Sequence, residues 1–150
     1  MTNLSLLKFR IREEIRKKRY LDTVIHSISA LLIYFSFSTI FEIPKELIFL
    51  FSFLGSFFPD IDHLLLYKKR RFGNFKMFLK WIIKSERYRI GFELFHNAPT
   101  ILVLLISLPY LYVKNKLALI FFLAFLFHLL IDLSLDKIVV GKVKWWRFGF

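Results

Sequence analysis

Gly55-Ser56-Phe57-Phe58-Pro59-Asp60-Ile61-Asp62-His63 closes the second apolar stretch of this 150-residue chain. Within one turn, side chains that favour oil give way to two acids and a histidine. Charged groups beside an apolar segment are costly, so they mark a site unless something else explains them. Asp and His are hard-to-borderline ligands for a divalent cation. Pro59 stiffens the exit from the helix and ends it. In an extended stretch, Asp60 and Asp62 would then point to one side, with His63 able to swing toward Asp60. The bland alternative is a solvated acidic turn. Acids at a helix C-terminus oppose the helix dipole, however, and a bound cation removes that conflict.

Outward from this stretch, the chain is 57% hydrophobic with 20 Phe, yet carries 23 Lys+Arg against 11 Asp+Glu. Apolar stretches separated by basic ones are the pattern of a multi-pass membrane protein. A single domain over residues 1–150 is expected, all-α, with four transmembrane helices at about 23–41, 43–58, 97–113 and 117–135. Pro44 and Pro99 stand near helix starts, where a missing N–H costs little. Pro109 falls late in the third span, where it would kink the helix. The chain has no Cys, which excludes thiolate ligation, disulfides and a cysteine nucleophile. No Walker-type glycine loop and no G-x-S-x-G elbow occurs, so nucleotide and serine-nucleophile chemistry lack support.

Basic residues orient the spans. The stretches 1–20, 59–96 and 136–150 hold twenty Lys/Arg, whereas the other two connections hold three: Lys45, Lys114 and Lys116. Positive charge marks the cytoplasmic side. The expected location is the inner or plasma membrane, with both termini and the central loop cytoplasmic. Within that loop, Lys76, Lys80 and Lys84 share one face of a basic interfacial helix over 75–84. The preceding Lys68-Lys69-Arg70-Arg71 suits anionic lipid headgroups, the expected partner. Nucleic acid ranks lower, because apolar helices adjoin the patch on both sides.

This topology carries every histidine to one membrane face. His26 lies one turn into the first span, and Asp60, Asp62 and His63 lie where the second ends. His96 opens the third. His128-Leu129-Leu130-Ile131-Asp132 lies in the last turns of the fourth, about 10 Å from the helix end at ~1.5 Å per residue. The i, i+4 spacing of His128 and Asp132 puts both on one helix face, a common way to give two ligands to one ion. A hydrogen-bonded pair stabilising the bundle is the competing reading. Asp22 and Asp136 are placed to support His26 and the His128 stripe. The candidate ligands are His26, Asp60, Asp62, His63, His96, His128 and Asp132. Seven groups exceed one ion's need, so either two ions bind or an Asp acts as general base. Asp62 and Glu93 are the candidate catalytic groups, although Glu93 could equally be a ligand or a loop charge.

The order of these elements resembles the YdjM-like family of inner-membrane-associated metal-dependent hydrolases. The resemblance covers about residues 22–136, with P-D-I-D-H as its most specific part. It implies a small helical membrane protein with a metal-dependent hydrolase activity. Its motif logic is more loosely similar to that of the all-helical zinc phospholipase C and nuclease enzymes. The family's R-G-x-T-H-S-like stretch reads Arg89-Ile-Gly-Phe-Glu-Leu-Phe-His96-Asn97 here, with Asn97 in place of serine. The leading expectation is a hydrolase using one or two divalent ions, zinc or manganese favoured, on a phospholipid or other membrane phosphoester at the cytoplasmic face. A non-catalytic scaffold with a His/Asp network is an alternative. So is a metal-ion transporter or sensor, although ionisable groups gathered at one face argue against a path, which an oligomer would have to complete.

Overall fold

The computed structural model describes residues 20–62 and 94–140, together with Asn74 and Met77. The described residues include four α-helices and one short 3₁₀ turn, with no strand among them. Helix α1 is Tyr20–Ser38, α2 is Lys45–Phe57, α3 is Ala98–Lys114 and α4 is Lys116–Val140. The 3₁₀ turn Phe58–Asp60 continues directly from α2.

Proline sets several boundaries. Pro44 caps α2, and Pro99 lies in the first turn of α3, where its missing N–H has no intrahelical partner to lose. Pro59 sits inside the 3₁₀ turn rather than extending the chain. Ile61 and Asp62 remain helical, so the extended geometry that would have put Asp60 and Asp62 side by side does not form. Helix α3 runs through Pro109 without ending. The expected interfacial helix at 75–84 falls almost wholly outside the described residues, as do Lys68–Arg71. Within it, Met77 N–H donates to Asn74 Oδ1 at 2.8 Å.

Helix α4 is the axis of the bundle: α1, α2 and α3 all pack against it, and α1 also packs on α2. One apolar cluster, Leu104, Phe125, Leu126 and Leu129, joins α3 to α4. A second, Ile33, Ile48, Ile120 and Ala124, joins α1, α2 and α4. Phe58 wedges the 3₁₀ turn against Phe95, Phe121 and Phe125, with ring centroids 5.2–5.8 Å apart. Gly55 is where α2 and α4 meet most closely. A Cβ there would lie 2.9 Å from the Ala124 Cβ and inside contact distance of the Phe121 carbonyl oxygen.

The outside of the bundle is apolar. Ile28, Leu32 and Phe35 on α1 are 51–63% exposed, and Ile106 and Val113 on α3 reach 69% and 73%. The inside holds His26, Ser29, Ser52, Ser56, Asp62, His96, Asn97, His128 and Asp132, all buried. The helix Lys116–Leu135 is long and apolar enough to cross a membrane, whereas Thr23–Ser38 and Ala98–Lys114 are shorter apolar helices. At ~1.5 Å per residue, the 13 residues of α2 reach about 20 Å.

Asn97 starts α3. Its Oδ1 accepts from Thr100 N–H at 2.9 Å, and its amide donates to Leu94 O at 2.6 Å. Asn and Ser cap helix N-termini about equally well, so Asn97 can do what a serine would do there. Asn97→Ala should cost about 1 kcal/mol of stability, read as an earlier thermal transition in detergent. An unchanged transition would show that the cap contributes nothing.

Candidate metal centre

The start of α1, the end of α2, the start of α3 and the second half of α4 meet at one end of the bundle. Four residues that are 0–3% exposed converge there: His26, His96, His128 and Asp132. Asp60, from the 3₁₀ turn, reaches the same place with its side chain 38% exposed.

The ring nitrogens can be assigned from their partners. His96 Nδ1 lies 3.2 Å from Asp62 Oδ2, and His128 Nδ1 lies 2.6 Å from the Ser56 carbonyl oxygen. A carboxylate and a carbonyl only accept, so both Nδ1 atoms donate. In neutral imidazoles the opposite nitrogens, Nε2, then carry lone pairs. These two Nε2 atoms face each other at 3.2 Å. Asp132 Oδ2 lies 3.0 Å from one and 3.6 Å from the other. Despite the 3.0 Å approach, Oδ2 has no hydrogen bond among the described residues. With both rings neutral these are three buried acceptors around one point, an arrangement that a proton shared between the two Nε2 atoms or a bound cation would relieve. One proton serves two acceptors at most.

The spacing suits an ion. Ligand atoms about 2.1 Å from a centre lie roughly 3.0 Å apart in octahedral and about 3.4 Å in tetrahedral coordination. The three edges of the His96–His128–Asp132 triangle, at 3.0, 3.2 and 3.6 Å, bracket those values. Asp60 Oδ1 stands 3.9 Å from His128 Nε2. Two sets of ligand atoms each fall within 4.8 Å of one another: His26, His128 and Asp132, and Asp60, His96 and His128.

His26 supports the floor of the site. Its Nε2 lies 3.2 Å from Asp132 Oδ1, and its ring stacks on His128 with centroids 3.9 Å apart. The His26 carbonyl accepts from Ser29 Oγ at 2.8 Å and Ser56 Oγ at 2.9 Å, which ties α1 to α2.

Asp62 faces elsewhere. Its Oδ2 accepts from Phe95 N–H at 2.7 Å, His96 N–H at 3.3 Å and His96 Nδ1–H at 3.2 Å. It therefore fixes the chain that leads into α3 and the tautomer of His96. Such carboxylate–histidine pairs set ring orientation and raise ligand basicity. Asp62 Oδ1 is buried without a hydrogen bond among the described residues. Asp62→Ala should weaken metal binding about 10- to 100-fold while leaving the ion count per chain unchanged. A metal titration that gives the wild-type affinity would remove Asp62 from the site.

His63 and Glu93 lie outside the described residues, as do the side chains of Asp22 and Asp136. Sequence reasoning missed the Ser56 carbonyl. Its one signal is position: the last carbonyls of a helix lack intrahelical partners, and Ser56 lies in the last turn of α2.

An all-α bundle, apolar outside, with buried imidazoles and carboxylates gathered at one end, is the class that fold and site define. Residues 21–139 match the YdjM inner membrane protein family, and the chain belongs to it. No curated protein and no solved structure matches the chain.

Proposed function

We propose that this chain is a membrane-embedded, metal-dependent hydrolase acting on a phosphoester of a membrane lipid at the cytoplasmic face. The observation that carries this reading is the approach of the His96 and His128 Nε2 atoms to 3.2 Å, with both Nδ1 atoms bonded behind them. A bound ion and a shared proton both fit this approach, and the ion also accounts for Asp132 Oδ2, which has no hydrogen bond among the described residues. All four helices cross the membrane in this reading, with both termini and the central loop cytoplasmic. Exposed apolar side chains around a buried polar interior support that arrangement.

His96, His128 and Asp132 would hold the ion, with Asp60 on the more exposed side. The imidazole and carboxylate donor set suits zinc or manganese. When bound, such an ion supplies Lewis acidity toward a phosphoryl oxygen and activates water. The chain's own groups do the rest. Asp62 and the Ser56 carbonyl hold the protons on Nδ1 of His96 and His128, so Nε2 stays available. A proton leaving water would be taken by Asp60 or Glu93. The basic residues of 59–96 draw anionic headgroups to this face.

The test is elemental analysis of the full chain in detergent, followed by hydrolysis of phosphoester lipids with zinc or manganese, before and after chelation. At least one tightly held ion, and turnover that chelator stops and metal restores, is the expected result. No ion after reconstitution with either metal would leave a purely structural His/Asp network as the better reading.

A further inference from the structure

We infer that the centre takes two divalent cations bridged by the Asp132 carboxylate, and that this pair selects an anionic phosphoryl group; the inference rests on the metal-dependent reading above. The two oxygens of Asp132 serve different imidazoles. Oδ2 faces His96 and His128 at 3.0 and 3.6 Å, whereas Oδ1 faces His26 at 3.2 Å. The side chain is 4% exposed, so neither oxygen faces bulk water. Without an ion, the His26 contact is a hydrogen bond with the imidazole donating. With an ion, 3.2 Å is an ordinary ligand–ligand edge, inside the range of about 3.0–3.4 Å for bonds near 2.1 Å. His26 and Asp60 fall in different candidate ligand sets, which share only His128. His26 and Asp132 Oδ1 hold the second ion.

Charge argues the same way. Asp60, Asp62 and Asp132 bring three negative charges to this end of the bundle, two of them nearly fully buried. One divalent ion leaves the cluster at −1, which repels a phosphate ester. Two ions leave it at +1, which attracts one. Paired ions about 3.5–4 Å apart clamp the attacking and leaving oxygens of an in-line phosphoryl displacement. Asp62 Oδ1, buried and without a hydrogen bond among the described residues, adds negative potential close by.

Manganese tests the count directly. Full-length protein in detergent is titrated with Mn(II) and followed by electron paramagnetic resonance. The first equivalent should give the six-line spectrum of an isolated ion. The second should convert it to the broadened spectrum of a coupled pair, saturating at two ions per chain. His26→Ala should saturate at one ion and keep the six-line form. His26→Gln, which retains a polar group of similar reach, guards against simple misfolding and should also stop at one. Inorganic phosphate should bind the two-ion wild type at least 10-fold more tightly than either variant. Saturation of the wild type at one ion, or a coupled pair surviving in both His26 variants, overturns the inference while leaving a one-ion hydrolase standing. A wild type that binds no manganese and no zinc sinks both readings.

Discussion

His128→Ala should abolish tight metal binding. Loss of a supporting residue behind a ligand typically costs 10- to 100-fold in affinity. His128 is itself a donor, so the loss should exceed about 100-fold. Three contacts disappear together: the Nε2 lone pair opposite His96, the Nδ1 bond to Ser56 O at 2.6 Å, and the ring stacked on His26. The second contact crosses from α4 to α2, so stability should fall as well. Isothermal titration of zinc into the ion-free variant measures the first effect, and thermal unfolding with chelator present isolates the second. Zinc affinity within a few-fold of wild type would mean that the opposed imidazoles do not bind an ion. His128→Asn, which keeps a donor toward Ser56, should recover stability without recovering affinity.

Gly55→Ala should destabilise the bundle although it adds helix propensity. Replacing glycine by alanine inside a helix is worth about 1 kcal/mol in its favour. Against that, the new Cβ meets the Phe121 carbonyl and lies 2.9 Å from the Ala124 Cβ. Overpacking a close contact costs roughly 1–3 kcal/mol. The Phe121 oxygen is backbone and cannot rotate aside, so the upper end applies and the penalty wins. The relief is for α2 to move away from α4, which lengthens the Ser56–His128 bond. Metal affinity should therefore fall along with the unfolding temperature. Gly55→Val should fail to fold. An alanine variant with wild-type stability would show that the helices accommodate the methyl group by a shift too small to matter.

Helix content was legible because the apolar runs are long and leave no alternating pattern for strands. The bounds came within a few residues: the run at 117–135 is the core of Lys116–Val140, and that at 97–113 became Ala98–Lys114 behind its Asn97 cap. The run at 23–41 slid back to Tyr20–Ser38, because Phe41 to Pro44 leads into the next helix start. The meeting of His26, Asp60, His96, His128 and Asp132 follows from where each stands along its helix, a one-dimensional fact. What lay beyond reach was rotation about the axis. Asp60 and Asp62 differ by two residues, so a helical backbone separates them by about 200° at 3.6 residues per turn. An extended one aligns them. In the sequence Pro59 reads as a stop, whereas proline is equally at home in the first turn of a new helical segment. That choice decides which acid turns toward His128 and which toward His96.

The Ser56 contact has a consequence for mutational scanning. Replacing Ser56 by alanine removes an Oγ that bonds the His26 carbonyl, a loss of about 1 kcal/mol, but leaves its own carbonyl in place. The group that sets the His128 tautomer is thus encoded by no side chain. A residue-by-residue survey would score the position as minor and pass over it. Only changes that displace the α2 backbone, such as an inserted residue or a proline upstream, would reveal how strongly the site depends on it.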